Sequence, residues 1–313
     1  MLRRGSNALP PHHSRGRASR RPARRSRSGS APYLFLIPNL IIFGAFTIIP
    51  AFYNFYLGLF NWSAGVTPTF IGLGNFTNLN HDDIFWDALR NTTIFVVGDV
   101  GLMVVFSVSI ALLLNARIVY RGFFRSVFFY PVLLSPVAVA LVWRWVLEPN
   151  YGVLNMLMRA LGLAPQPWLV RPDYALAWIV IIHVWATVGF YTLIVLAGLQ
   201  SIPPALYEGA LVDGATGGNI LWAITLPMLM PTVFAVLVLS LIKAFEVFDF
   251  VYVLTGGGPG FSTLTMVQYA FRAGFGLDQL GLGAAASLVL FLIVLTLTAL
   301  QFVVVRITKA EFV

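Results

Sequence analysis

The chain has 313 residues, 58% of them hydrophobic and 10% charged, with no cysteine and a mean hydropathy of +0.84. A soluble domain carries roughly a quarter charged residues, so an ordinary soluble globular protein is excluded. The absence of cysteine excludes disulfides, iron–sulfur clusters and thiolate zinc sites. The net charge of +8 is local: residues 1–30 hold nine arginines and no acid, while the remainder carries 11 Lys/Arg against 12 Asp/Glu. A basic tail on a nearly neutral body does not make the folded basic surface that nucleic-acid recognition needs.

In chain order, residues 1–30 read as a disordered Arg-rich cytoplasmic tail that sets topology and touches anionic lipid. Residues 31–313 read as the membrane domain. A bilayer core of about 30 Å takes about 20 apolar residues as helix. Residues 33–60 carry no charge, 91–115 only Asp99, 126–147 only Arg144, and 284–305 none; 174–199 hold only His183. A further apolar stretch, 230–254, carries Lys243, Glu246 and Asp249. The expectation is an all-α membrane protein with six spanning helices. With the N-terminus cytoplasmic, the inner segments collect the tail arginines, Arg117, Arg121, Arg125, Arg306 and Lys309, and the outer ones only Arg90, Arg159, Arg171 and Arg272. The positive-inside rule therefore places both termini in the cytoplasm.

The chain has no G-x-x-x-x-G-K-[ST] phosphate loop, no H-E-x-x-H metal pair and no G-x-S-x-G nucleophile elbow. These absences point away from an enzyme. The run Gly256-Gly257-Gly258-Pro259-Gly260 reads as a turn closing a helix. Charges inside spans are costly and should face protein or water. Lys243 and Glu246, three residues apart, are expected to pair. His183 reads either as a group on a solute path or as a packing histidine bonded to a neighbour.

Residues 200–229, cytoplasmic in this topology, contain no Lys or Arg. Pro203 and Pro204 start a short helix with Glu208 in an early turn, and Gly214 ends or bends it. The segment exposes Leu206, Tyr207, Ala210 and Leu211. On chemistry alone it is a docking element for another protein or an interfacial re-entrant helix.

The spacing Glu208-x-Ala210, Gly214, then Ile224-x-Leu226-Pro227 resembles the cytoplasmic E-A-A loop of permease subunits of binding-protein-dependent ABC importers. The family's usual second alanine is Gly209 here. Arg121-Gly122-x-x-Arg125, Tyr130-Pro131, Trp143-x-Trp145, Pro149-x-Tyr151-Gly152-x-x-Asn155 and Leu254-Thr255-Gly256-Gly257-Gly258-Pro259-Gly260 resemble the carbohydrate-type subfamily. So do Phe70-Ile71-Gly72-Leu73-Gly74-Asn75-Phe76 and Arg90-Asn91-Thr92, as in the larger-type permeases of maltose and glycerol-3-phosphate importers. The resemblance covers residues 33 to about 306. It implies a type I ABC importer permease fold in the six-helix form, and a non-enzymatic sugar-import subunit working by alternating access. It further implies a second permease, a cytoplasmic ATPase dimer that binds ATP and Mg, and an extracytoplasmic sugar-binding protein. No cofactor or metal is expected in this chain.

By the same resemblance the 206–220 helix couples to the ATPase through Glu208, Gly209, Ala210, Asp213 and Gly214. Laid against the maltose site, Ser240 matches a sugar-contacting serine, and His183 replaces an asparagine. Ala244 and Val247 stand where asparagines would be, so maltose specificity does not transfer. His183, Thr187, Tyr191, Ser240, Lys243 and Glu246 are the candidate path residues. The competing reading is an ion-coupled secondary carrier relaying protons through Asp99, His183, Lys243, Glu246 and Asp249.

Overall fold

A computed structural model describes residues 31–116 and 119–310, with side chains from 36 to 304. The arginine tail, Arg117 and residues 311–313 lie outside the described residues. By contacts the chain divides into a unit ending at Pro50 and one beginning at Ala51. In the first, α1 (Ala31–Phe43) carries an internal proline, Pro38, and runs into a π-turn over Gly44–Ile48.

α2 (Ile49–Leu57) begins in the first unit and runs from Ala51 onward in the second. A two-residue hairpin follows, β1 (Phe60–Asn61) antiparallel to β2 (Thr69–Phe70), with Phe60 opposite Phe70. Next come α3 (Gly74–Asn80) and α4 (Asp83–Asn115). Asp82 caps α4, its Oδ1 accepting from the Ile84 N–H at 2.8 Å. At 1.5 Å per residue, α4 is about 50 Å long, so it projects beyond a hydrocarbon core.

The third apolar segment is not one straight span. It consists of α5 (Arg121–Phe129), a 3₁₀ turn Tyr130–Leu133 and α6 (Pro136–Val146), with a 99° bend. Leu134 and Ser135 are extended, at ψ 150° and 130°. A proline disfavours helical backbone in the residue before it and serves well as the first residue of a new helix. Pro136 therefore breaks what hydropathy alone reads as continuous. Gly189 lets the bend pack closely, because a Cβ there would sit 2.2 Å from the Phe128 carbonyl oxygen.

After α7 (Val153–Ala160) comes α8 (Pro172–Ser201), the most buried span, packed along α4 and α11. Its core face includes Ile179, Ile182, Val195 and Leu196 against Phe95 and Met103. Next are α9 (Pro204–Val212), α10 (Gly217–Ile220) and α11 (Leu226–Phe245), the last two joined through a π-turn.

The fifth span is Gly217–Phe245, displaced toward the N-terminus from the expected 230–254. The apolar run does continue past 245, but Glu246 caps α11 and α12 (Asp249–Leu254) is a separate short helix. Lys243 and Glu246 thus lie at the end of a helix, where the dipole favours a cation in the last turn, and not in its middle. The chain ends with α13 (Met266–Phe271), a π-turn and α14 (Leu280–Ala310). Among the described residues five helices are long and apolar enough to cross a membrane, or six spans with the bent pair.

Several motif residues hold connections at the end of the bundle away from α9. Asn75 Nδ2 donates to the carbonyls of Gly58 (2.9 Å) and Phe60 (2.8 Å). Asn91 Nδ2 donates to those of Phe261 (2.8 Å) and Leu264 (3.1 Å), and Thr92 Oγ1 accepts from the Met266 N–H at 2.8 Å. Asn155, fully buried, gathers the 148–168 connection by donating to Gln166 O (2.8 Å) and accepting from Gln166 N (2.9 Å) and Trp168 Nε1 (3.0 Å). The glycine run is a turn, as expected from its composition: Gly256 and Gly257 have φ of 64° and 90°, conformations that glycine adopts freely.

Candidate functional site: a short exposed helix and a polar cleft

Two features at different levels of the bundle carry the chemistry. The first is α9. Pro203 and Pro204 start it, and Gly214, at φ 77°, ends it. The Ala215 N–H reaches back to Ala210 O at 2.9 Å and that of Gly214 to Leu211 O at 3.1 Å, so the helix closes on a left-handed glycine. The expected 206–220 helix is therefore two pieces: α9 stops at Val212, and 217–220 starts the next span. Glu208 lies in the second turn, since the first turn holds no acid. That weakens its expected contact with the helix dipole.

Glu208, Gly209, Asp213 and Gly214 are exposed, with Ala210 half-buried. Leu211 and Val212 are 64% and 87% exposed. Among the described residues neither the Glu208 nor the Asp213 side chain has a hydrogen-bond or ion-pair partner. Tyr207 is the attachment: it packs against the core, with its hydroxyl 3.4 Å from Thr225 Oγ1, the residue just before α11 in the fifth span. The helix is thus tethered by one aromatic, with its acid and two large apolar side chains exposed.

The second feature is a cleft of about 440 Å³ lined by Val132, Pro136, His183, Thr187, Phe190 and Tyr191 on one side. Residues 243 and 246–250 line the other. The break at Pro136 and the end of α11 create it, so the two departures from straight spans are what open the site. Lys243 Nζ lies 2.8 Å from Glu246 Oε2, and both side chains are exposed. Thr187 Oγ1 donates to the His183 carbonyl at 2.7 Å. His183 Nδ1 meets Asp99 Oδ1 of α4 at 2.6 Å, with both side chains buried. Phe95 and Phe250 approach the imidazole edge-on.

His183, Thr187, Tyr191, Lys243 and Glu246 are thus brought together. Ser240 is not: it is fully buried, does not line the cleft, and donates to Leu237 O of its own helix at 3.2 Å. Sequence reasoning missed Phe248 as a cleft wall, because the chain break after Glu246 that places it there leaves no hydropathy signal. A larger groove of about 490 Å³, bordered by Leu57, Phe271, Gly283 and Phe291, is mostly apolar, with Asn54, Glu246 and Ser287 as its polar lining. Among the described residues no cluster of His, Asp or Glu could hold a metal ion.

Residues 102–309 match the family described as binding-protein-dependent transport system inner membrane component. The chain is 35% identical over 285 residues to the probable ABC transporter permease protein YurN of Bacillus subtilis, covering 90% of this chain and 97% of that one. It is 37% identical to the trehalose/maltose transport system permease protein MalF of Thermococcus litoralis, covering 87% and 92%. Among solved structures, a bacterial ABC transporter for import of the acidic polysaccharide alginate superposes with a TM-score of 0.76 at 27% identity, covering 88% and 95%. These similarities fit ABC importer permeases and not secondary carriers. The chain belongs to the family of inner-membrane components of binding-protein-dependent transport systems.

Proposed function

We propose that this chain is one of two permease subunits of an ATP-driven sugar importer. The cleft at His183 is its half of the solute path, and α9 is its contact with the cytoplasmic ATPase. The observation that carries the reading is α9, an exposed helix of nine residues fixed between two prolines and a left-handed glycine. It offers an unpaired glutamate and apolar side chains to a partner. Such a rigid element transmits displacement to the span it is tied to through Tyr207. The cleft supports the other half, since hydroxyl, imidazole and charged groups beside Phe190 and Phe248 suit a polyhydroxylated solute with an apolar ring face.

Sugar as the class is favoured by relatives named for trehalose/maltose and for sn-glycerol-3-phosphate transport, the latter from Agrobacterium fabrum at 34% identity. In this account both termini lie in the cytoplasm, ATP and Mg bind to the ATPase dimer, and an extracytoplasmic binding protein delivers the sugar. The tail contacts anionic lipid, and no nucleic acid is involved. The test is uptake into proteoliposomes holding this chain, its partner permease and the ATPase. Uptake must require both ATP and binding protein. Uptake by this chain alone, or its collapse on adding an uncoupler while ATP is held constant, returns the ion-coupled carrier.

A further inference from the structure

Asp99 is the one charged residue in the span 91–115, and its carboxyl is buried to 1% exposure. An uncompensated carboxylate at that depth is costly, yet among the described residues its single partner is a histidine, and Oδ2 is sealed without a hydrogen-bond partner. That is poor design for a purely structural ion pair, in which both oxygens would be satisfied. The histidine end explains the arrangement better. His183 lines the cleft, and its Nδ1 is turned away from it onto Asp99. Its Nε2 has no partner among the described residues and is not one of the sealed polar atoms. Nε2 is therefore the atom the ring offers to the cleft.

An ionised carboxylate only accepts hydrogen bonds. The contact with Asp99 occupies Nδ1 and leaves Nε2 as the free ring nitrogen, and Phe95 and Phe250 against the ring fix its orientation. We propose that Asp99 is a positioning residue for solute passage. It acts through His183, holding Nε2 toward the cleft so that it hydrogen-bonds a hydroxyl of the transported sugar. The proposal rests on reading the cleft as half of the solute path. It adds a residue that lies outside the cleft, on a different helix, to the determinants of transport.

The test uses the complete transporter in proteoliposomes, with the sugar of a neutral mono- and disaccharide panel that the unmodified complex takes up fastest. Rates are expressed per assembled complex. Asp99→Leu, apolar and of similar size, removes the acceptor and lowers the rate about tenfold. Asp99→Asn keeps an acceptor for Nδ1 and retains at least half the rate. His183→Phe falls as far as Asp99→Leu, and the double variant falls no further, because both remove one interaction. If Asp99→Leu does not assemble, Asp99→Ala replaces it in the same comparison. An unchanged rate in the acceptor-free variant overturns the proposal. So does reduced assembly with an unchanged rate per complex, or a double variant whose loss is the product of the two. An unmodified complex that moves no sugar overturns the functional reading and the proposal together. A working complex indifferent to Asp99 overturns the positioning role alone.

Discussion

Reversing the charge of Glu208 separates folding from coupling. Glu208 is exposed in the second turn of a nine-residue helix, with no side-chain partner among the described residues. Glutamate and lysine have nearly equal helix propensity, and a surface change away from packing or capping moves stability by no more than about 0.5 kcal/mol. Glu208→Lys should therefore leave membrane insertion, thermal midpoint and assembly with the partner permease unchanged. At a docked interface the same change is severe. Loss of a central contact costs about 2 kcal/mol or more, roughly thirtyfold in affinity. The assays are co-purification of the ATPase and ATP-driven uptake, each normalised to the amount of inserted chain. The expected outcome is retained insertion with uptake reduced at least tenfold. Normal uptake with full ATPase retention refutes the role given to α9.

Four further outcomes follow from local geometry. A Cβ on Gly209 would meet nothing within 4 Å, so Gly209→Ala should stabilise α9 by about 0.5–1 kcal/mol, read by protease resistance of the loop. Tyr269 donates to Asp82 Oδ2 at 2.6 Å, and burial raises the phenol above its ordinary range. Tyr269→Phe should cost about 1.5–3 kcal/mol, visible as a lowered thermal midpoint in detergent. Asn155→Ala removes the bonds that gather residues 148–168 and should expose that connection to proteolysis while insertion proceeds. Gly189→Val places atoms where the Phe128 carbonyl lies; overpacking of this kind costs about 1–3 kcal/mol, and assembly yield should fall.

The spans at 91–115, 174–199 and 284–305 were legible because a lipid-crossing helix is written as a long run without charge. Each helix proved longer than its uncharged run, since capping residues such as Asp82 extend a helix into water at no penalty that hydropathy registers. The two misplacements share a cause. Pro136 and the cap at Glu246 break the backbone inside apolar sequence, and composition does not report chain direction. Those breaks also make the cleft, so the least legible parts of the fold are the ones that form the candidate path. The Lys243–Glu246 pair was readable from spacing. The Asp99–His183 pair joins residues 84 apart in sequence, and only packing of α4 on α8 brings them together. Asn75, Asn91 and Asn155 were visible as motif letters without a role, and the structure gives them one as clamps on connecting segments.

The central claim is that α9 meets the ATPase, and the absence of cysteine makes it directly measurable. Leu211→Cys provides a unique thiol on the exposed face of α9, and Asn150→Cys provides one at the other end of the bundle. Each is labelled with a maleimide–benzophenone and irradiated in the assembled transporter. The account predicts that Leu211→Cys crosslinks to the ATPase subunit in high yield and that Asn150→Cys does not. Equal, background-level crosslinking from both positions in a complex that still hydrolyses ATP would contradict it.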